Sequence, residues 1–194
     1  MNEKMTEAEV SIRLALHLSR ADLVRGDIRV AIDGAQVRTA DAIHFRIREF
    51  LDTEGCKGES LDGWQGRYEI AGSEAHLVIH SNPGEGDVVA DLRSGSRLHV
   101  ESKKGPLVRS RSSVEYPLVR EAIGQLMTLE EVGSGDVLGV AVPRSPKFSE
   151  LARRWRAAPL IQRLGLLILL VGRDGGVDGL TLGDDAVPAE ANSR

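Results

Sequence analysis

Asp87, Asp91, Glu101 and Lys103 stand at even spacing within "GDVVADLRSGSRLHVESKKG", residues 86–105. Carboxylate oxygens suit a hard cation such as Mg²⁺, or Mn²⁺ in its place. Two carboxylates on neighbouring strands can hold such an ion and leave positions for a phosphate and a water. A bound ion polarises the phosphoryl oxygen and eases loss of a proton from the water. A lysine on the same face offsets charge developing on phosphorus. Set between carboxylates, it is a cation rather than a free base. The chemistry indicated is metal-assisted attack of water on a phosphoryl group. The plainer reading is a solvated strand face with a surface ion pair worth little.

Register decides between them. Side chains alternate along a strand, so His99, Glu101 and Lys103 share one face and Leu98 and Val100 the other. A two-residue turn at Ser94-Gly95 would oppose Asp91 to Leu98 and mix acids with core on both faces. A three-residue loop, Ser94-Gly95-Ser96, with Gly95 left-handed, pairs Ala90 with Val100 and Leu92 with Leu98 on a dry face. It then gathers Asp87 with Lys103, Val89 with Glu101 and Asp91 with His99 on the other. A one-residue slip destroys that sorting, so the pattern selects the odd-length loop. Asp87 and Asp91 lie about 13 Å apart along their strand and do not grip one small ion. Either can sit diagonally from Glu101, so parity does not choose between them.

The surrounding elements follow from patterning. "TEAEVSIRLALHLSR" is a helix with Thr6 and Glu9 in capping-box spacing. Asp33-Gly34 signals a hairpin between Ile28–Ile32 and Val37. "ADAIHFRIREFLDTEG" reads as a second helix, with Ile43, Ile47, Phe50 and Leu51 on one face and Gly55 as its stop. "GRYEI" and "AHLVIH" are strands. "VEYPLVREAIGQLMTLEE" is a helix whose stripe Leu118, Ala122, Gln125 and Leu129 turns Gln125 inward among apolar groups. "GDVLGVAVP" is a strand. A helix follows, with Ser145 as N-cap and Pro146 at its first position, ended or kinked at Pro159. "LGLLILLVG" is the last strand, in a right-handed parallel crossover with the strand from Asp136. The class is α/β, a mixed central sheet flanked by helices. Three parts are expected: an N-terminal helix and β-hairpin extension over 1–39, a core over 40–172 and a flexible tail over 173–194.

The run from Asp87 to Lys103 resembles the core motif of the PD-(D/E)xK nucleases, the superfamily of many restriction endonucleases, Holliday-junction resolvases and phage-type exonucleases. Its signature is an Asp opening one strand, a short hairpin, then an apolar strand ending in Glu-x-Lys. Asp87 fits the first position, and "VESKK" supplies Glu101 and Lys103, fourteen residues on. Gly86 stands where the family usually has Pro. The resemblance implies a restriction endonuclease-like fold and Mg²⁺-dependent (or Mn²⁺-dependent) hydrolysis of DNA, in restriction, defence or repair. It implies Asp87 and Glu101 as metal ligands and Lys103 as stabiliser of the reacting groups. Gln125 matches the glutamine that often approaches the site from the next helix. Glu49 is the candidate for a further acidic ligand from a preceding helix. A site that cuts both strands needs two copies, which makes a homodimer a natural arrangement. Two rivals stand beside this reading. One is the same fold kept as a catalytically inactive DNA-binding or assembly module. The other is a regulatory or interaction protein built on the N-terminal part.

Charge and composition set bounds. The net charge of −4 announces no nucleic-acid binder. Residues 103–163, however, hold eleven Lys or Arg against six Asp or Glu. "RSRSS" follows the acidic motif and "RRWR" lies on a later helix. A basic half beside acidic residues suits a phosphate backbone, while a solvated helix face explains "RRWR" almost as well. Cys56 is the one cysteine, read as structural. With no apolar signal core, it indicates a reducing, cytoplasmic setting. "LGLLILLVG" is too short for a membrane helix, so no membrane partner is expected. Trp64 and Trp155 could stack on bases but are read as packing residues. His99 shares the acidic face as a neighbour rather than a ligand. "DGGVDG" lacks the Lys-Ser/Thr of a phosphate loop.

Overall fold

A computed structural model of the chain describes residues 3–40, 42–82, 84–108 and 114–182, with only the backbone considered at 36 and 59–62. The basic "RSRSS" run and residues 183–194 lie outside the described residues.

In chain order the elements begin with β1 (Lys4–Met5), α1 (Glu7–Arg20), β2 (Val24–Ala31), α2 (Gly34–Val37), β3 (Arg38–Thr39), β4 (Ala42–Ile43) and α3 (Ile47–Thr53). There follow β5 (Cys56–Asp62), β6 (Gln65–Ile70), β7 (His76–His80), β8 (Val88–Leu92), β9 (Arg97–Ser102) and β10 (Gly105–Pro106). The last part holds α4 (Glu115–Leu126), β11 (Val137–Pro143), α5 (Pro146–Arg156), α6 (Pro159–Leu164), β12 (Leu167–Val171) and β13 (Val177–Asp178). Nine strands form one mixed sheet in the order β13-β12-β11-β9-β8-β2-β7-β6-β5. The class is α/β with helices on both faces. Among the described residues no helix is long and apolar enough to cross a membrane.

The Thr6 hydroxyl accepts from the Glu9 N–H at 3.1 Å and starts α1. Ala8, Val10, Ile12, Leu14, Ala15, Leu16 and Leu18 are all buried. A helix apolar nearly all round belongs inside a protein. Its neighbours are β2, β7, β8, β9, β11 and β12. On β11 and β12, Ala141, Leu169 and Val171 join the core with α1, while Val140, Val142, Ile168 and Leu170 join a second core under α4, α5 and α6. Alternation thus divides two apolar strands between two layers. β11 and β12 run parallel, as their strand–helix–strand order requires. Ser145 caps α5 with Pro146 inside its first turn, and Pro159 opens α6 after α5 has ended.

Several expectations are corrected. The hairpin at Asp33-Gly34 does not form. The Asp33 carboxylate instead accepts from the Ala35 N–H at 2.9 Å and opens α2, a cap being the favoured use of a short acidic side chain. β2 lies in mid-sheet, parallel to β7 and antiparallel to β8, where its alternating Ile28 and Val30 are buried. The stretch read as an extension therefore supplies the central helix and an inner strand. Ile43 is 51% exposed, and α3 is shorter than expected. β5 was not foreseen in its polar, glycine-bearing sequence. The chain from Arg173, read as a loose tail, returns along β12 as β13. There the Arg173 Nε lies 3.1 Å from Glu9 Oε1.

Candidate active site

The β8–β9 hairpin has an odd-length loop, in a register two residues from the one expected. Val88 pairs with Val100, Val89 with His99, Ala90 with Leu98 and Asp91 with Arg97. The Leu92 N–H donates to the Ser96 carbonyl at 2.8 Å, so the loop is Arg93-Ser94-Gly95. Gly95 has φ +99° and occupies the last loop position. In three-residue hairpins that is where the left-handed residue belongs. A shift of two keeps parity, so the sorting of faces survives. Leu98 and Val100 are fully buried beside Val88 and Ala90, while Asp87 falls opposite Glu101 rather than Lys103.

Asp87 sits just before β8 and binds two strands at once. Its carbonyl accepts from the Ala31 N–H of β2 at 2.9 Å. Its Oδ2 accepts from the Ser102 N–H of β9 at 2.8 Å, where β8 no longer supplies a partner. The Asp87 and Glu101 carboxyls lie close enough to act on each other. Burial pushes Asp87 up to about 6, with Glu7 adding to the rise while the Ser102 N–H and Lys103 oppose it. Burial pushes Glu101 up to about 8, reinforced by the charge of Asp87 and opposed by Lys103. Two acids facing each other, one buried and one half-buried, cannot both ionise cheaply.

Lys103 is 3% exposed. Its backbone N–H donates to Ala141 O at 2.8 Å, continuing the pairing with β11. Its Nζ lies 3.3 Å from Glu121 Oε1 and 3.7 Å from Glu7 Oε1. Glu7 arrives here through a short long-range pairing. β1 runs antiparallel to β10, Lys4 opposite Pro106 and Met5 opposite Gly105. That pins the start of α1 against the end of β9. Glu7 brings a helix-borne acid to this cluster that the sequence reading did not single out. "MTEAEV" marks a helix start, but nothing local says which strand that start meets.

Two hollows flank the cluster. Gly86, Asp87, Glu101, Gln125, Thr128 and Glu130 line a cleft of about 420 Å³. Glu7, Lys103, Lys104, Glu121, Thr39 and His44 line another of about 660 Å³. Gln125 reaches the first cleft as an exposed residue, not from the helix interior. α4 starts at Glu115 and buries Glu115, Val119, Ala122 and Leu126, which rotates the expected stripe. Glu49 stands apart from the cluster, its side chain 67% exposed and paired with Arg46 at 2.8 Å. Asp91 also stands apart, paired with Arg97 at 2.9 Å in the open. Gly86 has φ +104°, a conformation closed to proline, whose ring fixes φ near −65°. The departure from the motif's usual Pro is thus built into this loop.

Among the described residues no group of three or more His, Cys, Asp or Glu is disposed to hold a metal ion. Asp87 and Glu101 offer two carboxylates. That donor chemistry fits Mg²⁺, which keeps several waters and is often held by one or two carboxylates with substrate phosphate. The raised proton affinity of the pair points the same way, since a divalent cation would relieve the same repulsion that holding a proton relieves. Comparison of the chain with protein-family models, curated proteins and solved structures returns no match.

Proposed function

We propose that the chain is a divalent-metal-dependent nuclease of the PD-(D/E)xK type that hydrolyses DNA phosphodiester bonds. The observation that carries this is the meeting of Asp87, Glu101 and buried Lys103 at the end of one hairpin, with an open cleft beside the acids. Asp87 and Glu101 would hold the ion. Bound there, Mg²⁺ or Mn²⁺ supplies Lewis acidity toward the phosphate and a more acidic water. Hydrolysis adds that water across the P–O bond: its oxygen joins phosphorus, and the departing oxygen gains a proton. Lys103, cationic between Glu7 and Glu121, balances the charge gathering on the phosphoryl oxygens. Gln125 lies where the cleft opens and can hydrogen-bond a phosphate oxygen or the water. Glu7 holds Lys103 and, as the third acid near the pair, strengthens the site's demand for a cation.

The test is cleavage of linear, circular and single-stranded DNA with and without Mn²⁺, alongside calorimetric Mn²⁺ titration. The expected result is metal-dependent cleavage that Asp87→Ala and Glu101→Ala abolish, with Mn²⁺ uptake lost in both, and that Lys103→Ala slows. DNA binding that weakens with salt, without Mn²⁺ uptake, would instead identify a binding or assembly module. Absence of both would leave neither nucleic-acid reading standing.

A further inference from the structure

His99 lies two residues before Glu101 on the same face of β9 and is 3% exposed. Its Nδ1 is 2.9 Å from the Glu85 carbonyl oxygen. A carbonyl oxygen only accepts, so Nδ1 carries a proton and donates it. On the far side of the ring, Nε2 lies 3.4 Å from Asp136 Oδ2, without hydrogen-bond geometry. Asp136 is itself fixed: Oδ1 accepts from the Arg97 N–H at 3.1 Å and Oδ2 from the Gly133 N–H at 2.7 Å. Glu85 is two residues before Asp87, and its side chain pairs with Arg29 of β2. The residue between is Gly86, at φ +104°. Glycine has the widest conformational freedom of any residue, so this link does not hold its own shape.

We infer that His99 is a positioning residue for the acidic pair. Through the Glu85 carbonyl it fixes the loop that carries Asp87 to the strand that carries Glu101. This rests on the reading of Asp87 and Glu101 as the metal-holding pair. His99 touches neither the ion nor the substrate. Its effect is on spacing: one buried side chain adds a tie on the far side of Gly86 to the bonds that Asp87 itself makes with Ala31 and Ser102. Groups standing behind a metal's own ligands commonly set its affinity in this way.

The test compares the full chain with His99→Phe, which keeps ring bulk without a donor, and His99→Asn, whose side-chain amide puts a donor near the Nδ1 position. His99→Gln, with its donor nearer the Nε2 position, takes the place of His99→Phe if that variant does not fold. Two quantities are read: hydrogen exchange of the Ser102 amide without metal, which reports its bond to Asp87, and the Mn²⁺ dissociation constant by calorimetry. His99→Phe is expected to speed the exchange at least about tenfold and weaken Mn²⁺ about 10–100-fold, while His99→Asn stays within about threefold of wild type in both. A His99→Phe that matches wild type, or a His99→Asn as damaged as His99→Phe, overturns the inference. Should the exchange pattern hold while the wild type takes up no Mn²⁺, the metal reading falls and His99 keeps its positioning role. Should wild type and His99→Phe bind Mn²⁺ equally, the metal reading stands and the positioning role falls.

Discussion

Glu7 and Glu9 occupy the same first turn of α1 and enter opposite settings. Two residues along a helix turn the side chain through about 200°. Glu9, with its side chain 8% exposed, faces Arg13 Nε at 3.1 Å and Arg173 Nε at 3.1 Å. Arg13 and Arg20 in turn meet Glu54. Acids there are answered by guanidiniums, and the arrangement ties α1 to the chain beyond β12. Glu7 faces Lys103, on the side where Asp87 and Glu101 already compete for a proton. A satisfied network holds parts together. A cluster short of positive charge has affinity to spare, and that is where a cation or a phosphate-bound ion gains most.

The contrast can be broken outright. Asp87→Asn or Glu101→Gln should reduce metal-dependent cleavage by at least about 10³-fold without lowering the melting temperature, since each removes one of two closely placed acids that oppose each other. Calorimetry with Mn²⁺ and thermal melts check the two halves of that statement. Lys103→Ala should slow cleavage by about 10²–10³-fold. It should also shift Mn²⁺ uptake to higher pH, because Lys103 lowers the proton affinity of both acids. A Lys103→Ala protein with unchanged uptake at every pH would remove Lys103 from the cluster's electrostatics.

On the other side of α1, Glu9→Gln should cost about 3 kcal/mol of stability by denaturant titration, because it leaves Arg13 and Arg173 without their buried acid. Mn²⁺ affinity should survive wherever the variant is folded. The pH dependence sharpens the same contrast. Folded Asp87 and Glu101 hold protons up to about 6 and about 8, above ordinary carboxyls. At these two sites the folded chain binds more protons than the unfolded one between about pH 4 and about pH 8, so their contribution to metal-free stability falls as pH rises through that window. Thermal melts across it should show the decline, Glu101→Gln should flatten it, and Mn²⁺ should reverse it. The smallest effect is expected from Glu49→Ala. An exposed ion pair with Arg46 predicts a change within about 0.5 kcal/mol and no change in Mn²⁺ uptake.

What was legible in the sequence was what alternation and capping control. The sharing of one face by Asp87, Glu101 and Lys103 follows from period-two parity, and it survives even though the loop was placed one residue late. Thr6, Ser145 and Pro146 act through neighbours within four residues, and they cap as their types require. The α/β class followed from the order of strands and helices in the second half. Contacts between distant segments were not legible. Glu7 reaches Lys103 only because Lys4 and Met5 pair with Gly105 and Pro106, and no periodicity announces a two-residue strand. Glu49 looked suitable on its helix, yet α3 packs at the β5 end of the sheet through Ile47 and Leu51. The pairing of β2 with β7 and β8 was hidden for the same reason, since Asp33-Gly34 carried a stronger local signal for a turn it does not make.

That placement of β2 has a consequence for biosynthesis. β2 ends at Ala31, whereas β7 begins at His76 and β8 at Val88. On the ribosome, both edges of β2 and the oily flank of α1 stay unclaimed until those later strands emerge. Unpaired edges and uncovered apolar helices are what chaperones bind and what aggregates recruit. The segment made first in this stretch is thus the last to find shelter, and the acidic cluster assembles only after that wait is over.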